Sequence, residues 1–540
     1  MKRLHSAIGG RSINRDKNER GFVLVSAVIL LTGLMFISVV SVQTTLQKSQ
    51  VTGRSYKDAQ TFYVAEAGAE WSKQWLYDLL EETPFPAQED LGELTAPSIN
   101  GYSFPELTIS LADAHSGVVS KGAFAGMEAV IRPYRIFSHS ALYNESVENV
   151  VAVTMNQESI PMGNFGIYFD QDLEFFTDYP LDYNGRIHTN GNLYLGSRNV
   201  LNIEGDVTAG KSIFNTPKDS TRSYSGKARM KDPSGHWQDL SYDSRDSEWE
   251  DKSLEDWGGR VLDQAHGIGT LPYPMPTPGE AIEIIKRGKP TDDEAMRAMR
   301  FYYKAGLKIL NGAATDSLDI PIVLPAGILS TTSFYDHREQ RTLTVTNLDM
   351  SLLIAYGYVP QNNVLYISES ASDAAIRIIN AQQLPAGGIA IATDNPLYVW
   401  KNYNTVSKKA SSILCDAFNV LSNNWDDADS AKPINKRIAS ATSVNSCVVT
   451  GNVPTTQGSY SGGAENLIRL HEKWVGHELT YRGSLVCLWA SQQATGLWID
   501  ASYVEAHRDW GFDPSLIDNR FWPEDGLTMT RVSSGSWASY

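Results

Sequence analysis

Few residues in this 540-residue chain stand at spacings that chemistry requires. His188, within Asn184-Gly185-Arg186-Ile187-His188-Thr189-Asn190-Gly191-Asn192, is of a type that serves as a metal ligand or general base. No second His or carboxylate stands at a fixed spacing from it, so a turn-region His satisfied by hydrogen bonds is the simpler reading. Asp426, Asp427 and Asp429 offer oxygen donors of the kind that ligate Ca²⁺. Their stretch lacks the Gly and distal Glu of an EF-hand loop, and a solvated acidic loop accounts for it more simply. Cys415, Cys447 and Cys487 could form one disulfide in an oxidising compartment, with at least one thiol left over. They could equally be small buried apolar residues, the reading slightly favoured here. There is no Gly-x-Ser-x-Gly, no phosphate-cradling glycine loop, no His-Glu-x-x-His and no dinucleotide fingerprint. The expectation is a noncatalytic chain without a cofactor.

The elements that must position these residues begin with a junction. Lys2, Arg3, Arg11, Arg15, Lys17 and Arg20 stand against Asp16 and Glu19, a net of +4, and Gly21 and Phe22 follow. Phe22 to Val42 is then a run of 21 residues without a charge. As a helix it would span about 32 Å, enough for a bilayer core of ~30 Å. A secretory signal has a shorter apolar region and a small-x-small cleavage site after it; here the small residue, Gly21, comes before the run. The basic leader is expected to stay in the cytoplasm and the rest to be exported. The part beyond position 21 holds 40 of the 46 basic and 60 of the 62 acidic residues, a net of −20. An acidic exported body is poorly suited to nucleic acid.

A basic leader ending in Gly, with Phe opening an apolar helix, resembles the class III signal of type IV pilins and type II secretion pseudopilins. The resemblance implies cleavage between Gly21 and Phe22 by a membrane prepilin peptidase, and methylation of the new N-terminus. Most major pilins carry Glu at the fifth mature position, where it pairs with a neighbouring subunit's amine. Here that position is Ser26. Large type II secretion tip pseudopilins and PilX-type minor pilins tolerate that loss. Residues 43–82 continue in helical register, with Ala59, Phe62, Ala65/Glu66, Ala69, Trp75, Leu76, Leu79 and Leu80 forming a stripe. Within it, Ala65-Glu66-Ala67-Gly68 resembles the box that closes the PilX N-terminal region. Glu66 could be a solvated helix position or pack against the exported body.

The fold class expected is α+β: a long pilin-like helix, then a mainly β head that could include a β-solenoid and a partly helical insertion. The divisions are 1–21 leader, 22–42 membrane half of the helix, 43–82 its exported half and 83–157 pilin-like strands. Then come 158–216, rich in Gly/Asn turns, 217–317, a polar insertion, and 318–540, a β-rich domain. Runs at 103–111, 127–138 and 148–155 read as strands. Residues 184–195 and 202–210 read as tight hairpins or solenoid rungs without strict period. Residues 246–266 and 278–310 read as partly helical, and 272–278 as a rigid Pro-rich stretch. Tyr460-Ser461-Gly462-Gly463-Ala464-Glu465-Asn466 resembles a box of large PilX-like chains and is expected at a loop before a short helix; no chemistry attaches to it.

The leading expectation is a minor pilin-like subunit for assembly or tip function of a type IV pilus. Its partners would be the prepilin peptidase, other pilins or pseudopilins and the inner membrane, with the head in the periplasm or on the fibre. Alternatives are an adhesive head binding an extracellular glycan or surface through some of the 13 Trp and 25 Tyr, a type II secretion tip pseudopilin, and an anchored carbohydrate-active enzyme.

Overall fold

The computed structural model describes residues 19–271, 273, 280–518, 520–521 and 527–540. The leader at 1–18, and the Pro-rich stretch 272–278 apart from Tyr273, lie outside the described residues. Helix α1 (Glu19–Glu82) runs unbroken for 64 residues. No Pro interrupts it, and it stops two residues before Pro84, which disfavours helical backbone at the residue ahead of it. Its hydroxyl residues would otherwise compete with the helix, but they bond back onto its own carbonyls: Ser26 to Phe22, Thr32 to Val28, Ser38 to Leu34 and Thr45 to Ser41, each at 2.8 Å.

The second half of α1 lies on a 5-stranded antiparallel sheet. This sheet contains β1 (Tyr102–Leu111), β2 (His115–Val118), β3 (Glu128–Leu142) and β4 (Glu148–Pro161). Its fifth strand, Thr528–Ser539, comes from the far end of the chain and pairs antiparallel with β4. Ala65, Ala69 and Leu76 pack on Ile109, Tyr134, Ile136, Val151, Val153 and Met155. Buried Gln157 pins the chain just after the helix, accepting from the Tyr134 hydroxyl at 3.1 Å and donating to the Pro84 carbonyl at 2.6 Å. The stripe differs from expectation at one end. Ala59 faces outward, and buried contact starts at Thr61, whose carbonyl accepts from Ser140.

The head is a β-solenoid. β5 (Ile167–Phe169), β8 (Ile187–Thr189) and β11 (Val207–Ala209) stack in parallel, residue on residue. So do β6 (Leu173–Thr177), β9 (Leu193–Ser197) and β12 (Ile213–Phe214), and likewise β7 (Leu181–Tyr183) and β10 (Val200–Ile203). Facing residues such as Thr177 and Ser197, or Asp182 and Asn202, stand 20 apart, so this arm has regular 20-residue rungs where hairpins or rungs without a strict period were expected. A second arm stacks Val364–Ser368, Ile389–Ala392, Ser411–Cys415, Cys447–Asn452 and Leu485–Ala490 in parallel.

The two arms join end to end, since Leu485–Ala490 pairs with β5, giving one 12-stranded sheet. The chain therefore enters the solenoid in its middle and winds to one end at Val261–Leu262. It then crosses to the other end at Leu307–Leu310 and winds back. The crossing segment is the stretch read as an insertion, and it straps the outer face of the sheet. Leu271, Ile282, Ile284, Ile285 and Phe301 bury against Tyr168, Tyr366, Ala390, Val449 and Val486. The Tyr366 hydroxyl donates to the Ile285 carbonyl at 2.9 Å. Among the described residues of 217–317 only Trp249–Trp257, Glu294–Met299 and Phe301–Lys304 are α-helical; Lys227–Lys231 and Val261–Leu262 extend the solenoid sheets.

Candidate functional site

Two regions hold residues in arrangements that could act: the N-terminal half of α1 and the seam between the solenoid arms. In the first, Gly21 and Phe22 lie in the opening turns of α1, where a helix has no N-terminal hydrogen-bond partners and is most easily unwound. Beyond them the side chains of the apolar run are exposed, with no packing partner among the described residues. Phe22 is 76% exposed, and Leu30, Leu31, Met35, Phe36 and Ile37 are likewise exposed. Ser26 bonds to its own helix, donating to the Phe22 carbonyl, and to nothing else among the described residues. In the box, Ala65 and Gly68 face the sheet, Ala67 faces outward, and Glu66 is half-buried. Gly68 is a point of close approach: a Cβ there would lie 2.4 Å from both Phe104 Cε1 and Ser138 Oγ.

The other candidates named from sequence are not brought together. His188 lies in strand β8 and not in a turn, fully buried. Its Nδ1 is 2.7 Å from Thr208 Oγ1 and its Nε2 is 3.2 Å from Asn190 Oδ1, and the ring stacks on Tyr168. Burial pulls its pKa down to about 4, so the ring is neutral at ordinary pH. Asn190 in turn clamps the strap, bonding both the N–H and the carbonyl of Leu271. The three aspartates each have a separate partner. Asp427 makes a two-pronged pair with buried Arg377 at 2.7 and 3.0 Å, Asp426 caps the Ala428 N–H, and Asp429 pairs with Lys432. Asp427 thus belongs to a partly buried ion pair, a departure from the solvated loop expected for this stretch. Among the described residues no group of three or more His, Cys, Asp or Glu is poised to hold a metal. Cys415, Cys447 and Cys487 are free and buried on neighbouring strands. Burial pushes the Cys447 thiol up to about 11 and the other two higher still.

The seam gathers residues that sequence reasoning left without a role. One face of the solenoid is continuous through β5, but the face carrying β6, β9 and β12 stops at the junction. The Tyr460–Asn466 box fills that place, with the short helix Ala464–Leu467 against β6. Gly463 opens this helix at φ +98°, a conformation that L side chains rarely adopt, and its missing Cβ leaves room for the Glu465 carboxyl. The Glu465 carboxyl accepts from the Phe176 N–H at 3.3 Å and from the Tyr460 hydroxyl, so it ties one arm to the other. Burial pushes its pKa well above the usual carboxylate range. Arg508 opposes that rise, and Glu174 and Glu505 add to it. Buried Arg338 binds the Ser461 carbonyl and the Gly496 carbonyl, and the Trp498 N–H donates to Ser461 Oγ at 3.1 Å. The box and the 494–500 loop are thereby locked together.

Beside the box runs a groove of 580 Å³. One wall carries Asp178, Tyr179, Arg198 and Tyr224 from the first arm; the other carries Tyr460, Trp498, Asp500 and Tyr503. Phe176 and Tyr224 stack at 4.7 Å, the Arg222 guanidinium lies 4.3 Å from the centre of the Tyr460 ring, and Tyr179 stacks on His507 at 4.0 Å. Arg198 and Asp178 pair at 2.9 Å on the rim.

No family model matches the chain, and no curated protein matches it. Among solved structures, the competence-associated pilin ComZ from Thermus thermophilus is similar to it at 10% identity. That likeness covers 89% of this chain and 97% of the other, with a TM-score of 0.29, too low to bear on function. The α+β class rests on this chain's own architecture, a long N-terminal helix followed by a large β-rich head. The PilX-type resemblance rests on the residues quoted for it.

Proposed function

We propose that this chain is a membrane-anchored, pilin-like structural subunit that assembles through α1 and carries its solenoid head outside the membrane, as a minor component of a type IV pilus system. One observation carries the reading. A single helix docks on the head by its second half, while its first half leaves a run of 21 uncharged residues without a partner among the described residues. Contiguous apolar surface of that extent marks a membrane or protein interface, and its length matches a bilayer core. The prepilin peptidase is the partner that would remove the leader before Phe22. The exported half of α1 offers a docking face to other pilins, with Tyr56 and Tyr63 exposed seven residues apart on the side away from the sheet. Ser26 supplies no carboxylate for a neighbour's amine, so this subunit is rare and sits at the fibre tip. Quantitative proteomics of sheared fibres checks this: it should appear at a small fraction of the major subunit. Finding it as the dominant fibre protein would overturn the minor role.

A further inference from the structure

We propose that the groove at the solenoid seam is a binding site for a neutral polysaccharide, held by stacking on Tyr179 and Tyr224 and by hydrogen bonds that its hydroxyls donate to Asp178 and Asp500 and accept from Arg198. This goes beyond the anchoring role and does not depend on it. The groove's size falls in the range of ligand sites, ~300–1,000 Å³. Its aromatic rings come from four separate segments, 176–179, 224, 460 and 498–503, so no local sequence requirement accounts for their convergence.

Ring faces take up the apolar faces of sugars, and forked carboxylate and guanidinium groups take up hydroxyls. Asp178 and Arg198 present such a pair on the rim, with side chains 39% and 62% exposed. Asp500 is exposed and makes no ion pair or hydrogen bond among the described residues. Charge narrows the ligand further. With Glu465 held neutral by burial and Glu505 paired with Arg508, Asp178 and Asp500 match Arg198 and Arg222 along the groove, while the whole chain carries −16. A groove without net charge suits a neutral ligand, and the chain's overall negative charge repels anionic polymers. Free cations meet a cation already in place, since Arg222 occupies the space between Tyr460 and Trp498. The floor is rigid because Glu465, Arg338 and Ser461 bond it to both arms, which lowers the ordering cost of binding.

The test uses the full chain in a detergent without a sugar headgroup. Calorimetry and saturation-transfer NMR with cellohexaose, maltohexaose and chitohexaose should detect binding of at least one. Tyr224→Ala and the rim variant Tyr179→Ala should each weaken it about tenfold, and Arg198→Ala should weaken it less. Dextran sulfate should not bind. Failure of all three hexasaccharides to bind, binding unchanged in the Tyr179 and Tyr224 variants, or preferred binding of dextran sulfate would each overturn the proposal. Release of new reducing ends would support the groove's ligand and overturn the noncatalytic reading of the head. None of these results depends on how the N-terminus is processed, so the site and the anchoring role fail separately.

Discussion

The two halves of α1 are one helix with one hydrogen-bond ladder, yet they solve the same problem in opposite ways. From Phe22 to Val42 large side chains point outward on every side, and the hydroxyls among them bond back to the helix. From Thr61 to Leu80 one face is small or apolar and buried on the sheet, while Tyr63, Trp71 and Tyr77 stay exposed on the others. A helix that is apolar all round needs a nonaqueous surrounding; one with a single apolar stripe needs a partner on one side. The difference teaches that the head is held by the second half alone, and that the first half serves something outside the chain.

The comparison can be broken most strongly with matched truncations. Leu76→Ala removes a fully buried side chain from the helix–sheet core and should cost ~2–5 kcal/mol in urea unfolding. Leu31→Ala should leave head stability within ~0.5 kcal/mol, because Leu31 is exposed. Equal effects would merge the two halves.

A pH experiment separates the solenoid from the helix–sheet unit. Glu472 is buried in the solenoid and accepts from the Ser422 N–H and hydroxyl, each at 2.7 Å. Burial raises its pKa to about 7. A carboxyl raised on folding contributes stability below its unfolded pKa of ~4.5 and loses it as pH rises through ~7. Relative to the parent, Glu472→Gln should therefore gain about 3 kcal/mol in stability between pH 4.5 and pH 8. The helix–sheet contacts at Ala65 and Leu76 should show no matching change by hydrogen exchange. A flat difference between variant and parent across that range would refute the assignment.

The smallest expected effect is at the box. Gly68→Ala sets a methyl 2.4 Å from the Phe104 and Ser138 side chains and should cost ~1–3 kcal/mol as the helix lifts. Ala67→Gly, on the outward side, should cost about 1 kcal/mol through helix propensity alone. Hydrogen exchange in β3 tells the two apart, because only the Gly68 variant should loosen it.

Legibility followed the range of the signal. The strands at 102–161 alternate plainly in the sequence, and the α1 stripe was readable to within one residue type at Ala59. The 20-residue rung was harder. Its marks are single apolar residues such as Ile167, Ile187 and Val207, repeated over barely two turns, and the second arm breaks the period with loops of unequal length. The closure of β5 against Leu485–Ala490, and of β4 against Thr528–Ser539, has no local signature at all. The groove was illegible for the same reason: its rings come from segments that only the seam brings together. Gly462-Gly463 was the one local pointer, a glycine pair beside an acid at the loop that opens the short helix Ala464–Leu467.

The most direct test of the anchoring account is mass spectrometry of the N-terminus of the protein recovered from membranes or fibres. The account predicts a chain that begins at N-methylated Phe22 and a Gly21→Leu variant that keeps its leader. A mature chain that begins after Val42, or one that retains Met1, would contradict it.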